Sequence, residues 1–240
     1  MKLFRVFGIW VVFCVPRTVT KGVNLIQIQS FVFNPFQENT YVVYDDTKEA
    51  VVIDPGCYNE DEKSELADFI TENELSVKML LNTHCHIDHV LGNQFIKEKF
   101  NTKLHIHPIE EFVLNAQKVI APHYGIHRYE DSTPDSFLKE GDRVTFGNQE
   151  FLVLFVPGHS PGHVAFYNEK EKVVIAGDVL FQGSIGRTDL PGGNFDTLIN
   201  SIHQNFFNLP DDVIVYPGHG GNTRIGIEKR TNPFCAVMKA

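Results

Sequence analysis

The chain has few cysteines, no excess of basic charge and no apolar run long enough to span a membrane, and each shortage removes a class of protein. Four cysteines, at positions 14, 57, 85 and 235 of 240 residues, show no paired spacing, which argues against a disulfide-stapled scaffold. Twenty-one Lys plus Arg stand against thirty Asp plus Glu, a formal net charge of −9. Neutralising phosphates needs a basic surplus, so a nucleic-acid partner is not expected. No short-period repeat and no low-complexity tract is present. Hydrophobic residues at 42% and charged residues at 21% allow a sizeable buried core, which excludes wholesale disorder. The length suits one domain, or one with an elaborate insertion.

The N-terminus carries the longest ambiguity. Lys2 and Arg5 lead into an apolar run over residues 6–15 that stops at Pro16 and Arg17. A basic start followed by about 7–15 apolar residues has the outline of a signal peptide. The run falls short of the ~20 residues a bilayer span needs. No small-x-small cleavage site follows, and Cys14 lacks the small residues of a lipoprotein site. Residues 1–22 are therefore set apart as an extension or weakly signal-like segment, with a single domain expected over 23–240. A cytoplasmic location is expected, export through residues 1–22 being the alternative, and no other membrane contact.

From residue 23 onward, short apolar runs alternate with turn residues. Residues 25–28, 40–44, 50–53, 77–81 and 104–106 read as strands, with Asn34-Pro35-Phe36 turning between the first two. Residues 60–72 carry Leu66, Phe69 and Ile70 on one helical face, and residues 90–100 carry Leu91, Phe95 and Ile96 likewise. Residues 110–118 are expected to be helical. The span 121–134, with His123, Tyr124, Gly125, His127 and Tyr129, is the least regular, and such long loops are usually functional or mobile. Strands follow at 151–156, 164–167, 173–176 and 213–216, with a helix over 196–207 opened by Asp196 as its cap. Strands and helices mix throughout, so a layered sheet-and-helix α/β domain is expected.

Eleven histidines are many for this length, and their clustering carries the chemistry. His84, His86, Asp88 and His89 follow the strand 77–81 directly, at the spacing His-x-His-x-Asp-His. One metal rarely needs four local ligands, whereas two ions ~3.5–4 Å apart would use them. A polar turn capping a helix would explain Asp88 and leave three histidines over. Three further strands end in Pro157-Gly158-His159, Gly177-Asp178 and Pro217-Gly218-His219. Each places one donor at a strand end beside a glycine, where the backbone can crowd an ion. Seven side chains result, enough for two divalent cations once one carboxylate is shared and water completes each. Imidazole and carboxylate suit zinc, iron and manganese alike, with zinc the default.

These residues resemble the metallo-β-lactamase superfamily, in its glyoxalase II-like (hydroxyacylglutathione hydrolase-like) branch. The likeness runs over residues 34–41, Ile53-Asp54-Pro55-Gly56, the 83–89 motif, Gly158-His159-Ser160-Pro161-Gly162-His163, Gly177-Asp178, residues 183–189 and Pro217-Gly218-His219-Gly220. It implies a four-layer αβ/βα sandwich with a metal pair in the cleft between sheet edges. It implies that His84, His86 and His159 hold one metal, that Asp88, His89 and His219 hold the other, and that Asp178 bridges them. Asp88 is also expected to orient the attacking water and take its proton, because two cations depress the pKa of water. The expected activity is hydrolysis of a small-molecule thioester such as a hydroxyacylglutathione. A mononuclear iron persulfide dioxygenase, a relative sharing Gly186-Arg187-Thr188-Asp189, is the alternative.

Other residues carry lesser expectations. In glyoxalase II a basic residue near Arg187 contacts glutathione, so Arg187 is either a substrate contact or a loop arginine paired with Asp189. The short tail after His219 lacks the helical segment that grips glutathione in that enzyme, which leaves loop 121–134 to shape the substrate pocket. Cys85 reads as a packed thiol, His163 as a hydrogen-bonding partner of the loop, and Asp54 as a carboxylate behind a ligating histidine. His105 and His107 read as ordinary strand positions.

Overall fold

The computed structural model describes residues 25–237 and, near the N-terminus, a short antiparallel pairing of Arg5–Val6 with Ile9–Trp10. The signal-like segment expected over residues 1–22 otherwise lies outside the described residues.

Six strands form a first sheet in chain order: β1 (Gln27–Phe33), β2 (Glu38–Tyr44), β3 (Glu49–Ile53), β4 (Ser76–Leu81), β5 (Leu104–Ile106) and β6 (Ser136–Phe137). The first three pair antiparallel and β3 to β6 pair parallel. Parallel neighbours need crossovers, and helices supply them: α1 (Glu60–Glu72), the pair α2 (Ile87–Val90) and α3 (Asn93–Phe100), and α4 (Glu110–Ile120). The second half contributes β7 (Arg143–Phe146), β8 (Gln149–Phe155), β9 (Val164–Asn168), β10 (Val173–Gly177), the two-residue strands β11 (Leu180–Phe181) and β12 (Ser184–Ile185), α5 (Phe195–Ser201), β13 (Ile214–Pro217), β14 (Thr223–Arg224) and α6 (Ile225–Thr231). Its six-stranded sheet runs β14-β13-β10-β9-β8-β7, and β11 pairs with β12 apart from it.

Alternation along the strands sorts side chains into three apolar layers. Val43, Val51 and Ile53 face Phe146, Phe151, Val153 and Phe166 between the sheets. Val42, Val52 and Leu80 face outward onto Leu66 and Ile70 of α1, Ile96 of α3 and Leu114 of α4. On the other side Ala165, Val174 and Val215 pack on Leu198, Ile202 and Phe206. Helix, sheet, sheet and helix are therefore stacked as the four-layer sandwich that the resemblance implies. Strands covered on both faces read as continuous apolar runs, which is why 40–44 and 173–176 were legible. Among the described residues no helix is long and apolar enough to cross a membrane.

Three local expectations need correction. The helix expected over 90–100 is two helices, because Gly92 donates to the Pro55 carbonyl at 2.7 Å and leaves no room for a side chain against the Cys57 sulfur. The cap of α5 is Asn194, whose side chain accepts from the Thr197 N–H at 2.9 Å; Asp196 lies inside the first turn. After Ser201 that helix widens into a π turn over Ile202–Phe206. The strand placed at 25–28 is β1, running to Phe33 because its register with β2 extends from Gln27 opposite Tyr44 to Phe33 opposite Glu38.

The topology puts the chemistry in one place. β3 and β4 are parallel, and β8 and β10, both antiparallel to β9, run the same way as β13. Their C-terminal ends carry Asp54, the 84–89 turn, His159, Asp178 and His219. The two halves are stitched there: Asn39 N–H donates to the Gly218 carbonyl at 2.7 Å, the Tyr41 hydroxyl to Pro217 at 2.7 Å, and Val164 N–H to Thr83 at 2.8 Å.

Candidate metal centre

All seven motif residues meet in one cluster. His84, His86 and His159 form a triplet whose ligand atoms lie within 4.8 Å of one another, and Asp88, His89 and His219 form another. In the first, His159 Nε2 stands 3.2 Å from His84 Nε2 and 2.9 Å from His86 Nδ1. In the second, Asp88 Oδ2 is 3.1 Å from His219 Nε2 and 3.6 Å from His89 Nε2. Asp178 lies between the two. Its Oδ2 is 3.4 Å from His159 Nε2 and 3.5 Å from His219 Nε2, and its Oδ1 is 3.5 Å from His89 Nε2.

The far nitrogens of these rings show which atoms are offered to the site. His159 Nδ1 faces the Arg187 carbonyl at 2.7 Å and His219 Nδ1 the Gln37 carbonyl at 3.2 Å. A carbonyl only accepts, so both rings carry hydrogen on Nδ1 and turn the Nε2 lone pair inward. His89 Nδ1 donates to Asp54 Oδ2 at 3.2 Å with the same result. Thr83 Oγ1 spends its hydrogen on Asp54 Oδ2 at 2.6 Å and so accepts from His84 Nδ1 at 3.1 Å. Four imidazoles are thereby held in one tautomer by partners behind them, the arrangement found around ligating histidines.

This donor set suits cations. Donor atoms converging on one another repel unless positive charge lies among them, supplied by an ion or, without one, by protons on His89 and His219. His89 Nε2 and Asp178 Oδ1 are buried without a hydrogen-bond partner, which is costly for a polar atom with no ion to bind. The backbone leaves room for close approach: a side chain at Gly218 would stand 2.1 Å from Asp178 Oδ1. Gly177 has φ +50°, and a side chain there would strike Thr83 and His163.

The electrostatics divide the cluster. Burial presses His84 and His159 toward the neutral form and holds His86 down to about 3. Burial works in the same direction on His89 and His219, yet the carboxylates Asp88 and Asp178 outweigh it and raise both. Asp178 and Asp88 stay ionised despite burial, because His89 and its neighbours hold their pKa values low.

Residues beside the ligand set have separate tasks. Asp54, grouped with His84 and His89 by distance, already accepts from Thr83 N–H at 2.7 Å, the Thr83 hydroxyl and His89, so it orients rather than offers. His163 Nε2 accepts the Asp178 N–H at 3.0 Å, and its ring stacks on His84 with centroids 4.6 Å apart. Cys85 is a buried thiol that burial pushes up. His107 is buried and stacks on Phe155, while His105 is partly exposed. Arg187 forks onto Asp189 through Nε and Nη2, both at 2.7 Å, and holds that exposed carboxyl down to about 2.

Two features escaped the sequence. Glu110, at the start of α4, is fully buried; its Oε2 accepts from Cys85 N–H at 2.7 Å, and its Oε1 from the Ser160 hydroxyl at 2.6 Å and Gly162 N–H at 2.7 Å. It clamps the loop of His84 and His86 to the loop of His159, and no local pattern distinguishes it from the exposed acids usual in a first helical turn. The second is the pocket wall. A cavity of about 490 Å³ opens from His86, Asp88, His159, Asp178 and His219. Of the loop 121–134 only Tyr124 lines it; the wall is built by α4 and Phe36 instead. The expectation that this loop shapes the pocket is corrected accordingly: Ile126 turns inward onto Ile87 and Leu91, anchoring the loop away from the opening.

Known proteins resemble this chain closely. The model of the metallo-β-lactamase superfamily matches residues 33–219. The hydroxyacylglutathione hydrolase GloC of Haemophilus influenzae is 40% identical over 201 residues, covering 83% of this chain and 93% of the relative. Among solved structures, the BLEG-1 B3 metallo-β-lactamase has TM-score 0.78 and 35% identity, covering 88% of this chain and 100% of the other. The protein TTHA1623 in a di-iron-bound form has TM-score 0.78 and 37% identity, covering 86% and 99%.

Proposed function

Because the chain belongs to the metallo-β-lactamase superfamily and is a metallo-hydrolase of its glyoxalase II-like branch, we propose that it hydrolyses small-molecule acyl thioesters with a pair of divalent metals. The observation that carries this reading is Asp178, whose carboxylate faces donors of both triplets at 3.4 to 3.5 Å. His84, His86 and His159 would hold one ion, Asp88, His89 and His219 the other, and Asp178 both. When bound, the metals would supply Lewis-acid polarisation of the carbonyl and a water of depressed pKa. Zinc is the first candidate; the di-iron form of TTHA1623 makes iron the second.

The chain's own groups do the rest. Asp88 has one oxygen toward His219, and its ionised carboxylate would orient the attacking water and take its proton. That proton then goes to the departing thiolate, so a thioester and water leave as acid and thiol. Asp54 and Thr83 keep the His84 and His89 rings turned toward the substrate side. His163 holds the Asp178 backbone and Glu110 holds the two loops together. The apolar wall of α4 lines the cavity that opens from this cluster.

Elemental analysis of the purified protein, run beside a panel of thioesters and an oxygen electrode, tests the reading. Close to two ions per chain, thioester cleavage and no oxygen uptake with glutathione persulfide are expected. One iron per chain with oxygen uptake would replace the hydrolase by a persulfide dioxygenase.

A further inference from the structure

Helix α4 presents an apolar edge where a surface helix ordinarily presents charge. Phe112, Ala116 and Ile120 follow one another at a spacing of four, with Val113 beside them, so one face of Glu110–Ile120 lines the cavity without a charged group. Phe112 is 81% exposed, and Val119 on the flank of the same ridge is 65% exposed. At ~1.5 Å rise per residue the ridge from Phe112 to Ile120 is about 12 Å long. Phe181, Ile185 and Leu190 line the same cavity. Phe36 stands near the ligand set with its ring edge-on to Tyr124, centroids 5.6 Å apart.

Beyond the seven-residue cluster, the polar side chains that line this cavity are Gln117, Ser184, Arg187 and the Tyr124 hydroxyl, set among apolar ones, so it offers little to a charged ligand. Among the described residues that line it, Arg187 is the one lysine or arginine, and its guanidinium is already forked onto Asp189. A thiol arm bearing carboxylates and an ammonium would find one cation, already paired. An alkyl chain would instead cover apolar wall along its length, and full coverage is worth about fourfold in affinity per methylene.

We infer that the α4 face is the acyl-specificity surface of this site, and that the preferred substrates are thioesters of medium-length aliphatic acids. The inference rests on the thioester-hydrolase reading above and names its substrate class. The acyl chain lies along Phe112, Ala116 and Ile120, its carbonyl at the ligand cluster, with the thiol leaving past Arg187.

The test uses the metal-loaded full chain and thioesters of one uncharged thiol, N-acetylcysteamine, from acetyl to decanoyl, with S-lactoylglutathione beside them. The kcat/KM should rise roughly two- to fourfold per methylene until the ridge is covered. Phe112→Ala should lower the octanoyl-to-acetyl ratio by roughly tenfold, whereas Phe234→Ala, an exposed aromatic off the cavity, should leave that ratio alone. Phe112 is too exposed for its loss to unfold the protein, and an unchanged melting temperature checks this. Calorimetry with non-hydrolysable S-alkyl N-acetylcysteamine thioethers gives a second readout. Affinity should grow with chain length and lose that growth in Phe112→Ala. A flat chain-length profile, or S-lactoylglutathione preferred over octanoyl with strong dependence on Arg187, overturns the inference. If no thioester is cleaved but the thioethers still bind by chain length through Phe112, the apolar ligand stands and the thioesterase reading falls.

Discussion

The two triplets that meet at Asp178 differ in kind. His84, His86 and His159 are three imidazoles, and burial makes all three neutral donors. Asp88, His89 and His219 bring a carboxylate, and the pair Asp88 and Asp178 is strong enough to pull His89 and His219 toward protonation. The first triplet has no carboxylate of its own and meets one only in the shared Asp178, so it depends more on the groups that fix tautomer and loop position: Thr83, the Arg187 carbonyl and Glu110. The second has the Asp88 carboxylate of its own beside the shared one. A metal pair held here would have one half set mainly by placement of neutral imidazoles and the other by added carboxylate charge.

The largest effect should come from the residue that belongs to both halves. Asp178→Ala is expected to remain folded, to bind well under two ions, and to lose on the order of 10³-fold in kcat/KM, since Lewis-acid stabilisation is worth several kcal/mol. Elemental analysis and steady-state kinetics measure this. Near-normal activity in that variant would falsify the shared role of Asp178.

The next contrast separates the halves. His219→Ala should cost one ion and keep the other, and His84→Ala should do the reverse, because each removes one donor from a single triplet. Titration with a chromogenic chelator resolves the two stoichiometries. Both ions lost together in either variant would mean that the halves form one cooperative unit and that the comparison fails.

A smaller effect probes placement alone. Glu110→Gln keeps the shape but sets an amide where Cys85 N–H or the Ser160 and Gly162 donors need an acceptor. Stability should fall by about 1–3 kcal/mol for the buried donor left unpaired. Metal affinity should weaken about 10-fold at the first triplet, with the second unchanged. Equal weakening of both sites would show Glu110 to be a general support of the fold.

How much of this could be read in the letters follows from how local each cause is. The strands 40–44 and 173–176 are runs buried on both faces, and the turn 84–89 packs four donors into six positions, so both are written in consecutive residues. The break in the helix after residue 90 was not legible, because its reason is Cys57 and Pro55 pressing on Gly92 from a different loop. The cap of α5 was misplaced by two positions because Asn194 and Asp196 are equally good capping residues by type, and only the extended backbone at Asn194 selects between them.

The sequence by itself determined the donor chemistry: four donors packed into the 84–89 turn and three more, His159, Asp178 and His219, each ending a strand beside a glycine, and through their resemblance a family and its sandwich. Tertiary structure decided how those donors are aimed. His219 is fixed by the Gln37 carbonyl 182 positions away, His89 by Asp54 at 35 positions, and the Cys85 loop by Glu110 at 25. Tautomer and lone-pair direction depend on what stands behind a ring, and that neighbour is supplied by the packing of two sheets rather than by any pattern along the chain. The apolar wall of α4 is of the same origin: only the docked helix shows that Phe112, Ala116 and Ile120 border the cavity at the donor cluster while Leu114 enters the core.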